Sequence, residues 1–155
     1  MPFTFFHGLI GYFAACALTK DKRLRALAFI AGMLPDLDGL AILFNMDLYY
    51  ALHHELLHAP VYGLVFGAIA AVLMSKFFNL NRKQSFVCFL VFALAFALHA
   101  IVDVFFTNWP VKLLWPFSQQ EFSYPLLAGY NWLLVIALIA MLAGQYLMKK
   151  TAKCN

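Results

Sequence analysis

Residues 85–106 read SFVCFLVFALAFALHAIVDVFF. A helix needs about 20 apolar residues to cross the hydrocarbon core of a bilayer, and this run is long enough. Beyond Ser85 its strongly polar members are His99 and Asp103, and it contains no lysine or arginine to neutralise them. Ionisable groups at that depth are costly and mark functional sites by default. The i, i+4 spacing puts the two side chains on one helix face, one turn apart. A divalent metal would neutralise the carboxylate and take the imidazole as a second ligand. The alternative is a His–Asp hydrogen bond that only stabilises the bundle.

The rest of the chain has the same character. Of 155 residues 65% are hydrophobic and 12% charged, and the mean hydropathy is +0.81, outside the range of soluble domains. Apolar runs at 3–18, 25–44, 60–78, 85–106 and 126–148 predict an all-α, polytopic membrane bundle of about five transmembrane segments, the first of them short. No basic residue precedes the first run and His7 interrupts it, so it is expected to be a retained segment and not a signal peptide. Without repeats or linkers, residues 1–155 are expected to form a single integral-membrane domain. Cys16, Cys88 and Cys154 offer neither a disulfide framework nor a thiolate metal site.

The net charge of +4 does not point to nucleic acid, because the basic residues sit in short clusters between apolar runs. Lys20, Lys22, Arg23 and Arg25 follow the first run, Lys76, Arg82 and Lys83 the third, and Lys149, Lys150 and Lys153 the last. With five crossings these ten share one face, leaving only Lys112 on the other. The positive-inside rule makes that face cytoplasmic and the N-terminus external, in a prokaryotic inner membrane. All five histidines and six of the seven acids collect at the external end, a pattern that counting lysine and arginine does not impose.

In the second run, GMLPDLDGL (32–40), Asp36 and Asp38 would lie about 200° apart on a regular helix. Pro35, between Gly32 and Gly39, predicts that segment two is broken there, and irregular backbone lining a polar cavity would aim both carboxylates at a common point. A helix end capped by aspartate is the simpler alternative. In YYALHHELLHAPVYG (49–63), His54 and His58 are spaced i, i+4, and HELLH matches the zinc-protease pattern with Glu55 as the base. Pro60 places that turn before a helix or at its first residues. His53 adds a third imidazole, and His7 completes a set of eight candidate ligands: His7, Asp36, Asp38, His53, His54, His58, His99 and Asp103. Eight exceed what one tetrahedral ion takes, so one or two divalent ions are expected, with Zn first and Mn or Fe also compatible. Glu55 or His54 would supply the catalytic base.

At these residues the chain resembles the YdjM-like family of inner-membrane proteins described as metal-dependent hydrolases. The resemblance covers nearly the whole chain: His7–Gly8, LPDLD (34–38), a histidine-rich segment with His53 and His58 at the family's H-x4-H positions, the His99-x3-Asp103 pair, and LLWPFS (113–118) occur in order. Where many members have HRGxTHS this chain has HHELLHA (53–59), which leaves the role of His54 open. The resemblance implies a metal-dependent hydrolase. Because the site lies at the membrane interface, a lipid or lipid-linked phosphoester or ester is the expected substrate and partner. A metal or proton transporter, or a bundle merely stapled by its metal, are the competing classes.

Overall fold

A computed structural model of the chain describes residues 4–53 and 57–151, except for the side chains of 51, 52 and 148–151. It is helical, as the apolar runs predict: α1 (Thr4–Leu18), α2 (Lys22–Met33), a 3-10 segment (Leu34–Leu43), α3 (Met46–Leu52), α4 (Pro60–Phe78), α5 (Arg82–Phe106), a 3-10 turn (Ala128–Tyr130) and α6 (Asn131–Thr151). Among the described residues there is no β-strand, only an isolated bridge between Val111 and Phe122. Among the described residues four stretches are long and apolar enough to cross a membrane: Lys22–Leu43, Pro60–Phe78, Arg82–Phe106 and Ala128–Leu147. At 15 residues α1 is shorter, reaching only about 22 Å.

The ends of these helices are written locally. Asp21 caps α2 by accepting from the Arg23 N–H at 2.9 Å. Asn79 closes α4 in the left-handed region at φ 50°, where asparagine is tolerated better than most residues. Two residues later Asn81 and Gln84 form a reciprocal capping box that starts α5. Pro60 opens α4, where its missing N–H costs nothing. Pro35 cannot donate to the preceding turn and crowds it, so α2 stops at Met33 and the chain continues as a ten-residue 3-10 segment. Such a length is unusual for that geometry.

The bundle is built by α1, α2, α4 and α5, while α6 packs lightly against α1. Its core is rich in small residues, with Ala15, Ala28, Ala31 and Ala95 around Leu24, Val91, Phe92 and Phe96. Close backbone approach of this kind is the usual basis of helix association in lipid, where hydrophobic burial has little to contribute. Gly11 marks a tight crossing: a Cβ there would lie 2.5 Å from the Ala28 carbonyl oxygen and 2.8 Å from the Ala95 Cβ. Because α1, α2, α4 and α5 alternate in direction, the α1–α2 and α4–α5 turns meet at one end, where Thr19, Lys20 and Asp21 share a hollow with Lys83 and Gln84. At the opposite end His7, the 3-10 segment, His58 and the last turns of α5 come together. The 107–127 connection folds over that end, with the Tyr124 N–H donating to the Val104 carbonyl at 2.8 Å and the Leu127 N–H to that of Phe105 at 3.0 Å.

Candidate metal centre

Four side chains from three parts of the chain meet where α5 ends. Asp36, His58, His99 and Asp103 each present one ligand atom, and the four atoms lie within 4.8 Å of one another. His99 Nε2 is 3.1 Å from Asp103 Oδ2 and 3.4 Å from Asp36 Oδ1. His58 Nε2 is 3.5 Å from Asp103 Oδ2 and 3.8 Å from Asp36 Oδ1. The two Nε2 atoms face each other at 3.1 Å. An ion with tetrahedral bonds of about 2.0–2.1 Å spaces its donors about 3.3 Å apart, so the separations suit a cation between them.

The remaining ring atoms support that fit. His99 Nδ1 lies 2.7 Å from the Gly32 carbonyl oxygen; a carbonyl only accepts, so Nδ1 carries the proton and, in the neutral ring, Nε2 holds a lone pair. His58 Nδ1 donates to Asp38 Oδ2 at 3.1 Å, which assigns its Nε2 the same way. Two lone pairs pointed at each other at 3.1 Å repel unless a proton or cation separates them. A carboxylate or backbone carbonyl on the far nitrogen of an imidazole is the usual outer partner of a metal-ligating histidine.

Around the four lies a second layer. Asp38 also meets His53, Oδ1 to Nδ1, at 2.7 Å. His7 stacks on His99 with ring centroids 3.9 Å apart and places Nε2 3.4 Å from Asp103 Oδ1. His53 stacks on Tyr49 at 4.8 Å and meets the Trp109 ring edge-on at 5.2 Å, which walls the site off with aromatic surface. His7, His53, His58, His99 and Asp103 are buried; Asp36 is the partly exposed member of the central four. Burial alone would lower the pKa of His58, but the carboxylates of Asp103, Asp36 and Asp38 more than offset it and hold the pKa well above the ordinary imidazole value. The position is therefore one where positive charge is favoured.

Seven of the eight residues singled out as candidate ligands are thus in one place. The eighth, His54, and the candidate base Glu55 lie outside the described residues. The expectation that Asp36 and Asp38 share a target needs refinement. At three residues per turn, positions two apart point about 120° from each other by the shorter way, so the pair straddles His58: Asp36 faces its Nε2 and Asp38 its Nδ1. Sequence reasoning missed the Gly32 carbonyl as the partner of His99, because a backbone acceptor has no side-chain signature. If the outer layer orients the donors, Asp38→Ala should lower affinity for added Zn by roughly 10–100-fold. Competition with a chromogenic chelator measures this, and wild-type affinity would show that Asp38 positions nothing.

Fold and site define a class: a polytopic helical membrane protein with a buried His/Asp cluster able to hold a metal. No match was found among curated proteins or among solved structures. A family model does match, over residues 1–154. The chain belongs to the family described as YdjM inner membrane protein.

Proposed function

We infer that this protein is a membrane-embedded, metal-dependent hydrolase whose ion is held by Asp36, His58, His99 and Asp103. The observation that carries this reading is the meeting of four donors at one point with graded burial: the side chains of His58, His99 and Asp103 are 0% exposed and that of Asp36 8%. A structural site is closed on all sides, whereas a catalytic one keeps a position open to exchange. When bound, a Zn, Mn or Fe ion would supply Lewis acidity, lowering the pKa of a coordinated water and polarising a phosphoryl or acyl oxygen.

The chain's own residues have distinct tasks. Asp38 and the Gly32 carbonyl hold the His58 and His99 rings in one tautomer and orientation. His7, against Asp103 Oδ1, and His53, against Asp38 Oδ1, are placed to accept or return a proton at the rim of the centre. Tyr49 and Trp109, packed on His53, keep bulk water from that side. His54 and Glu55, in the segment between His53 and His58, are the further candidates for the base.

The site end lies opposite the Lys- and Arg-bearing turns, so the positive-inside rule assigns it to the external face, with the N-terminus outside and the C-terminus cytoplasmic. A substrate anchored in the bilayer, a lipid-linked phosphoester or ester, suits that position. One alternative draws on the donor count: four side-chain donors also satisfy a metal that only staples the bundle. Purified protein is to be assayed, metal-loaded and in lipid, against phosphodiester, phosphomonoester and carboxylic-ester lipids. Turnover that is lost on chelation, and that falls in Asp36→Ala by more than the roughly 10–100-fold typical of an outer-shell partner, supports the hydrolase. Loss of thermal stability on chelation, with no turnover of any substrate, assigns the metal to the staple.

A further inference from the structure

A groove of about 450 Å3 opens beside Asp36, walled mainly by Ile30, Met33, Leu34, Leu37 and Leu40, with Thr4 and Asp36 its polar lining residues. Its size is that of a small-molecule site, roughly 300–1,000 Å3. Ile30, Leu37 and Leu40 are 54%, 49% and 54% exposed. They belong to the Lys22–Leu43 stretch, which is long and apolar enough to cross a membrane, so in a bilayer the open side of the groove would face acyl chains. Outward residues elsewhere, such as Ile69 and Val72 on α4, are equally apolar. The groove differs in ending on Asp36, the least enclosed of the central four, with its side chain 8% exposed against 0% for the others. The larger hollow near the loops, about 540 Å3, is lined by Tyr50, Thr107, Trp109 and Asn131 among others and includes none of the four donors.

We propose that this groove holds an acyl chain of a membrane phospholipid, so that the substrate reaches the centre sideways from the bilayer with its phosphate beside Asp36. The groove's chemistry selects the occupant: an apolar trough open to lipid accommodates a hydrocarbon chain, and a carboxylate at its end tolerates an anionic head only beside a cation. The position of the phosphate rests on the metal-centre reading; residence of the chain does not.

The test is photolabelling in nanodiscs by a phospholipid bearing a diazirine in its acyl chain, with labelled peptides located by mass spectrometry. Labelling is expected to favour residues 30–40 several-fold over the outward face of α4. Leu37→Trp, which fills the groove and leaves the four donors in place, should cut that labelling about ten-fold, as expected for loss of contact with roughly two methylenes, with metal content unchanged. Leu40→Phe serves as the second filling variant should Leu37→Trp not fold. Labelling of 30–40 no stronger than that of Ile69 and Val72, or undiminished in the folded filling variants, overturns the proposal. The readout needs no turnover. Groove labelling without hydrolysis of any lipid removes the enzymatic reading and leaves the groove, whereas metal-dependent hydrolysis without groove labelling does the reverse.

Discussion

His99→Ala protein is expected to bind metal more than about 100-fold more weakly than the wild type, a loss beyond the 10–100-fold typical of an outer-shell partner. The substitution removes one of four clustered donors, 3.1 Å from both His58 Nε2 and Asp103 Oδ2. It also takes away the ring that bonds the Gly32 carbonyl at 2.7 Å and the face on which His7 stacks. Asp103, whose side chain is fully buried, then keeps His7 and His58 but loses its shortest imidazole contact. Breaking one side of a buried charged pair costs about 3–5 kcal/mol, so the variant should also unfold at a lower temperature. Elemental analysis beside thermal unfolding in the same detergent checks both effects. Equimolar metal in His99→Ala, or a wild-type protein that takes up none, would remove the basis for a metal centre.

The second large effect is expected from Gly32→Ala. A Cβ at this position would lie 2.5 Å from the His7 carbonyl oxygen, 3.0 Å from the His7 carbonyl carbon and 3.2 Å from the Gly8 Cα. All three are backbone atoms, so no side-chain rotation relieves the clash and α1 must move away from α2. Overpacking of this sort costs about 1–3 kcal/mol. The same residue supplies the carbonyl that orients His99, and the atoms it would displace belong to His7. Stability and metal affinity should therefore fall together, the latter by roughly 10–100-fold. Gly144→Ala is the control, since a Cβ there has nothing within 4 Å, and it should be near neutral. Wild-type affinity in a destabilised Gly32→Ala protein would mean that the α1–α2 contact does not position the site.

Much of this was legible in the chain because its signals are short-range. An unbroken apolar run of membrane-spanning length allows few folds, since backbone groups in hydrocarbon must bond within their own segment. Pro35 announces the break in segment two and Pro60 the start of α4, each through a bond forbidden within four residues. The convergence of histidines and aspartates followed from counting crossings, because the two crossings α4 and α5 separate the end of segment two from the end of α5 and so bring both, with the start of α4, to one level. His99 and Asp103 were legible as a pair for the same local reason, one helical turn.

What could not be read ahead was the order of the layers. In sequence, Asp36 and Asp38 are equivalent carboxylates, and His7, His53 and His58 are equivalent imidazoles. Whether an atom stands in the central group or one bond outside it depends on a few degrees of helix rotation and an ångström of helix approach. The 3-10 winding after Pro35 sends the two carboxylates to opposite edges of His58, and Gly32 lets α1 come close enough for His7 to stack on His99. Spacing along a chain sets which side chains share a face of their own helix, so the membrane bundle, its break and its polar end were already contained in the residues. Distances between helices are settled by packing across contacts far apart in sequence, and it is those distances that bring four donors to one point and leave Asp36 the least enclosed of them.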